Sequence, residues 1–162
     1  MLKVRIKIGD GSIVDTEDTY GLVYLDSDKV TAAPIKAFEE TSYPEQEGVN
    51  ILPKTVDDAF DYKVKFFVRA TTLDSANTKI TAFNNALFTQ TGDVKTFKRV
   101  TFFNDYKHHK IVGYPKPISE ATEFWRDPDN YLNDVVVVEW NIRVNKPSDC
   151  DFHKPFTEDV TT

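Results

Sequence analysis

Cysteine is almost missing from the chain: 162 residues contain one, Cys150. No internal disulfide can form, and Cys150 reads as a reduced thiol of a protein made in the cytoplasm. No apolar run approaches the roughly 20 residues of a membrane-crossing helix. The opening MLKVRIKIGDG alternates charged and apolar residues and lacks the apolar core and small-residue cleavage site of a signal peptide. Glycine is scarce, at 6, and the only close pair is Gly9-Asp10-Gly11, which suits a turn and not a phosphate-cradling loop. HExxH, paired CxxC and nucleophile-elbow patterns are all lacking. Of the 3 histidines, His108 and His109 are neighbours that a strand would point to opposite faces, and His153 lies far along the chain. Residues 127–130, DPDN, look faintly like a calcium loop but lack its glycine and distant glutamate, so a polar turn is expected. Basic excess is missing too, and a net charge of −6 excludes a general nucleic-acid binder, which needs a cationic face. The expectation is a protein with no catalytic site, no cofactor, no metal, no membrane partner and no nucleic-acid specificity.

What the chain has in quantity is β-branched residues, 17 Val and 9 Ile against 7 Leu, which favours strands. In Phe60–Ala70, FDYKVKFFVRA, Tyr62, Val64, Phe66, Val68 and Ala70 share one face, and Lys63, Lys65 and Arg69 take the other together with Phe67. Residues 135–144 repeat the pattern, with Val136, Val138, Trp140, Ile142 and Val144 on one face. This is the period of two that marks half-buried strands. Residues 3–8 alternate likewise, with Val4, Ile6 and Ile8 inward. Residues 96–114 predict a hairpin with arms at about 96–103 and 108–114 and a turn at 104–107. Strands are also expected at 21–25 and 30–41, the second interrupted by Pro34 and so at an edge or bulge. One helix is predicted, over 74–90: Ala76, Ile80, Phe83 and Leu87 share a face, Asp74 or Ser75 caps it, and Gly92 follows its end. Asn84 falls off the apolar face and should tolerate substitution. The fold class implied is mainly β, a β-sandwich or partly closed barrel with one α-helix packed against it. One domain spans 1–146, and 147–162 loses periodicity and reads as an extended arm, mobile or docked on a neighbour.

Two segments carry opposite charge. Residues 93–110 hold Lys95, Lys98, Arg99, Lys107 and Lys110 against two acids, and 119–134 hold Glu120, Glu123, Asp127, Asp129 and Asp134 against Arg126. They read either as solvated loops or as complementary surfaces of a self-associating subunit. Trp125 and Tyr131 flank the 127–130 turn, as loop anchors or as a stacking platform for a sugar. Residues 42–54, SYPEQEGVNILPK, are polar at first and apolar at the end, an awkward loop for a tight hairpin. Ile51 and Leu52 either fold back into their own core or bury on another subunit.

The order of features resembles a known family. "TYGLVYL" and "PIKAFEETSYPEQEGVNIL" precede the charged-alternating strand "DYKVKFFV", the helical "ITAFNNALF", the hairpin "KRVTFFNDYKHHKIVGYP" and the final "VVVVEWNIRVNKP". This succession, across about residues 1–146, is similar to the N-terminal domain of phage distal tail proteins, the baseplate hub family related to tail-tube proteins. In that family a strand leads into an Ile-Pro-Gly-Arg-Asp-Gly-like loop. Here Pro44, Glu47 and Gly48 match that loop, whereas Glu45 replaces its glycine and Gln46 its arginine. The family's larger members carry a second domain, for which the chain is too short, so the roles of that domain do not transfer. The resemblance implies a non-catalytic structural protein of a phage or prophage, made in the host cytoplasm and resident in the virion tail. Its partners would be copies of itself in a hexameric ring and other phage tail proteins. A tail-tube or tail-completion role is the near alternative. The implied subunit interface is Tyr43, Pro44, Gly48, Val49, Ile51 and Leu52. The alternative from a different class is a small non-catalytic carbohydrate- or ligand-binding β-sandwich module using Trp125 and Tyr131.

Overall fold

The computed structural model describes residues 2–45, 47–126 and 134–153. The protein is mainly β, with two layers of antiparallel strands and one long helix. The first layer runs β2 (Val14–Asp15), β1 (Val4–Ile8), β9 (Val100–Asn104), β10 (His109–Pro115). The second runs β3 (Leu22–Ser27), β6 (Phe60–Ala70), β12 (Asp134–Val144), β11 (Ala121–Arg126). The layers join where the end of β10 pairs Tyr114 with Arg143 and Pro115 with Ile142. At that crossing the backbones nearly touch, and a Cβ on Gly113 would run into the Arg143 carbonyl, so only glycine fits. The sheets do not close into a barrel, and the architecture is that of a sandwich.

The alternating residues of β6 and β12 build the core. Tyr62, Val64, Phe66 and Val68 meet Val136, Val138, Trp140 and Ile142, all essentially inaccessible. Phe102 of β9 reaches across from the other layer, its ring centroid 5.9 Å from Trp140 and 6.4 Å from Phe66. The helix α2 (Leu73–Ala86) covers one end of this core. Its Phe83 sits edge-on to Trp140 at 5.2 Å, and Ala76 and Leu87 are buried beside it.

Several local expectations need correction. Thr72 caps α2, accepting from Ser75 N–H at 3.1 Å, two to three residues before the expected cap. The helix stops at Ala86 because Phe88–Thr91 (β7) and Val94–Phe97 (β8) pair as a small separate hairpin around Gly92. Thr96 and Phe97 therefore belong to β8, and the expected long hairpin arm begins only at Val100. Asn84 is not a free polar position: its side chain donates to Ile118 O and accepts from Ile118 N, both at 2.8 Å. A short helix α1 (Thr16–Tyr20), capped by Asp15, was not anticipated. No continuous strand covers 30–41: within it lie only the bridge at Ile35 and β4 (Glu39–Thr41). The described part of the C-terminal segment does not stand off as an arm. Its Pro147–Asp149 turn leads to Asp151, whose backbone bonds Lys110 in both directions at 2.6 and 2.9 Å. Phe152 then packs toward Phe60 and His109 of the same chain.

Candidate functional site

Residues 34–58 leave the sandwich as a β-hairpin arm. Its root is fastened by Lys36 N–H to Val56 O at 2.9 Å, Asp58 N–H to Pro34 O at 2.7 Å and the Thr55 hydroxyl to Lys36 O at 2.9 Å. Beyond the root, β4 pairs with β5 (Asn50–Leu52) in the register Glu39 with Leu52, Glu40 with Ile51 and Thr41 with Asn50. This two-stranded unit pairs with no strand of the main sheet. Gly48 closes the tip with φ +80°, a backbone conformation that strains any side chain bearing a Cβ.

All six residues expected at an interface lie on the outer half of this arm, and all six are exposed. Tyr43 is 52% accessible, Val49 47%, Ile51 53% and Leu52 50%. Folding back of Ile51 and Leu52 into their own core, one of the two readings of the sequence, is thereby excluded. Ile35, Phe38 and Val56, which sequence reasoning missed, add to the same surface. Among the described residues, 7 of the 14 exposed large hydrophobic side chains fall within these 22 positions, 35–56. The register puts Ile51 and Glu40 on one face and Leu52 and Glu39 on the other, so both faces are amphipathic. Glu39, Glu40, Glu45 and Glu47 carry the arm's charge, with no Lys or Arg between Lys36 and Lys54.

The other sequence candidates fare differently. In the basic segment, Arg99 is committed to Asp149 and Lys107 to Asp26 at 3.3 Å, while Lys95 lies 4.8 Å over the Phe88 ring. Three of its five cations thus have partners within the chain. Residues 127–130, Tyr131 and the Trp125 side chain lie outside the described residues. His153, distant in sequence, joins the adjacent His108 and His109 at one cleft of about 250 Å³ with Lys29, Lys107 and Phe152. Among the described residues, no group of three His, Cys, Asp or Glu is placed to hold a metal.

His109 is buried at 2% exposure. It lies in a polar cluster that bridges the two layers: its Nδ1 is 2.8 Å from the Tyr62 hydroxyl, which is 3.1 Å from Ser27 Oγ and 3.3 Å from Asn104 Nδ2. Burial pushes the Tyr62 hydroxyl up to about 12 and holds the His109 imidazole below its ordinary value. Burial also raises the Cys150 thiol, whose Sγ accepts from Val112 N–H at 3.3 Å, so it stays protonated near neutrality and is no activated nucleophile. The arrangement offers a closely packed apolar interior and an apolar, acidic projection. In comparison with known proteins, no family model and no curated protein sequence matches the chain.

Proposed function

We propose that the protein is a non-catalytic structural subunit that assembles with its own copies through the 34–58 arm, as a ring-forming component of a phage or prophage tail. The observation that carries this reading is the concentration of exposed apolar side chains on a hairpin that, among the described residues, pairs with no strand of the main sheet. Exposed apolar patches of this kind mark interaction sites. The contact this reading takes is head-to-tail, the arm docking on a different face of the next copy, and a rotation that closes makes a ring. The tail assignment rests on the collinear resemblance set out above, and with it the hexameric count, the other tail proteins as neighbours and the virion as location.

Magnitudes favour a ring over an isolated pair. Complete burial of a large apolar side chain contributes about 1.5–3 kcal/mol, and the arm's side chains start roughly half buried, so each adds about 1 kcal/mol on docking. Seven of them only offset an association cost of roughly 4–15 kcal/mol. One arm gives a weak pair, and closure, which gives every subunit two contacts, gives a lasting assembly. Sedimentation over a concentration series, with circular dichroism for folding, tests this. Wild type should form a discrete oligomer, and Ile51→Asp should remain folded and sediment as a monomer. Identical species for both, or a wild type monomeric throughout, would remove the arm from assembly. The sugar-binding reading rests on Trp125 and Tyr131, and nothing among the described residues favours it.

A further inference from the structure

The chain just before the arm, residues 28–33, is a strap held down by histidines. His109 Nε2 lies 3.0 Å from Val30 O, and His153 Nε2 lies 3.1 Å from Thr31 O. Two imidazoles from distant parts of the chain thus grip consecutive carbonyls, three residues before Pro34 opens the arm. Nε2 also lies 3.4 Å from Val30 N, and Nδ1 lies 2.8 Å from the Tyr62 hydroxyl, so each ring nitrogen of His109 faces a group that can donate and one that can accept. Phe152 closes over the ring edge-on, with centroids 6.0 Å apart.

We propose that His109, seconded by His153, is a pH-sensitive latch on the root of the arm: mild acid releases the 28–33 strap and the 151–153 segment and frees the arm to change its angle. This rests on the reading of the arm as the assembly element and names how that element is regulated.

A proton added to His109 turns its remaining acceptor nitrogen into a donor. At Nδ1 that donor meets the Tyr62 hydroxyl, which donates to Ser27 Oγ at 3.1 Å and accepts from Asn104 Nδ2 at 3.3 Å; at Nε2 it meets Val30 N–H at 3.4 Å. The new charge would sit at a ring that is 2% exposed. The groups facing it are mostly cationic: Lys29 from the strap, Lys107 and His108 from the turn before β10, and His153 from the C-terminal segment. The nearby carboxylates are committed elsewhere, Asp28 to Lys63 N–H, Asp26 to Lys107 and Asp151 to His153 N–H. A buried charge without a counter-charge is costly, and opening the two segments that bury the ring is the local way to hydrate it. The sign follows from linkage. The closed form holds the imidazole below its ordinary 6.5, so the open form binds more protons, and closure weakens as pH falls below about 6.5.

Hydrogen exchange, corrected for the intrinsic chemical rate, reads the latch directly at pH 7.5, 6.5 and 5.5. Peptides covering 28–33 and 147–153 should lose protection on acidification, by up to about tenfold per pH unit for one linked proton, while β6 and β12 keep theirs. His109→Gln, which keeps a donor but cannot titrate, should flatten this dependence, and His153→Gln should reduce it. Unchanged wild-type protection at 28–33, or an equal loss in His109→Gln, would overturn the latch. If His109→Gln does not fold, the imidazole Cε1–H titrations of the wild type decide: amide shifts of 28–33 must share the midpoint of His109, and a midpoint matching His108 instead refutes the proposal. Exchange reads the latch whether or not the protein assembles, and sedimentation of Ile51→Asp at pH 7.5 reads assembly whether or not the latch exists, so the two readings fail separately.

Discussion

The β6–β12 pair and the β4–β5 arm are both antiparallel ladders, yet they hold their shape in opposite ways. β6 and β12 face each other through 11 consecutive positions, and their inward side chains lie under a second layer of strands and a helix. β4 and β5 face each other through three positions, and their apolar side chains stay about half exposed. Backbone pairing is therefore not what separates core from appendage; the covering layer is. A lone two-stranded hairpin is marginal in water, so the arm depends on its root bonds and on whatever covers its apolar residues. Substitutions that remove cover should thus cost the domain heavily at one place and almost nothing at the other.

The largest loss is expected at Trp140, which touches Phe66, Phe83 and Phe102. Trp140→Ala should cost about 3–5 kcal/mol, measured as a shifted midpoint in urea with unchanged slope. A loss below about 1 kcal/mol would mean that the layers close over the vacancy. Phe83→Asp puts a charge against the same ring and should abolish folding or cause aggregation. Next comes Asn84→Asp, which puts a carboxylate against the Ile118 carbonyl and loses the donor of that clamp. It should cost about 1–3 kcal/mol, and neutral behaviour would show that Ile118 finds another partner. Tyr62 gives a pH signature. Its folded value is raised to about 12 from 10.0, so its contribution is fully present below pH 10 and is lost as pH rises toward 12. Tyr62→Phe should flatten the alkaline limb of stability against pH, and an unchanged limb would assign it to other groups.

How legible each region was follows from the same contrast. Phe60–Ala70 and the 135–144 run could be read to within a residue because the first, and the second from Glu139 on, alternate a buried with a more accessible face, which writes a period of two into the sequence. Residues 135–138 are buried on both faces and read as a β-branched run. β4 could not: Glu39, Glu40 and Thr41 are exposed on both faces, so no periodicity is imposed. The β7–β8 hairpin was hidden by Leu87, which continues the helical spacing of Phe83, although Gly92-Asp93 is itself a turn signal. The short helix α1 carries its signals openly, Asp15 before it and Gly21 in a left-handed conformation after it, but lacks the length to show an apolar stripe. At the candidate site, the run from Tyr43 to Leu52 stood out by composition, whereas Ile35, Phe38 and Val56 join it only through the pairing of the root. The cluster of Tyr62, Asn104 and His109 was invisible because nothing local relates those three positions.

The smallest effect on folding should be the most informative about the arm. Ile51 and Leu52 are neighbours in sequence but face opposite ways, Ile51 beside Glu40 and Leu52 beside Glu39. Following the alternation outward from the paired residues puts Phe38 and Val49 with Ile51, which makes that face the more apolar of the two. Ile51→Ser and Leu52→Ser should each change the stability of the isolated domain by no more than about 0.5 kcal/mol, as for surface positions generally. Their effects on association should differ, because an arm that lies flat against a partner buries one face and leaves the other wet. Ile51→Ser is expected to raise the dissociation constant by about fivefold or more, since about 1 kcal/mol of burial corresponds to that factor, and Leu52→Ser should change it by less than about twofold. Sedimentation of both variants beside wild type separates the outcomes. Equal weakening would place the arm in a groove that covers both faces, and a stronger effect from Leu52→Ser would reverse the docking face.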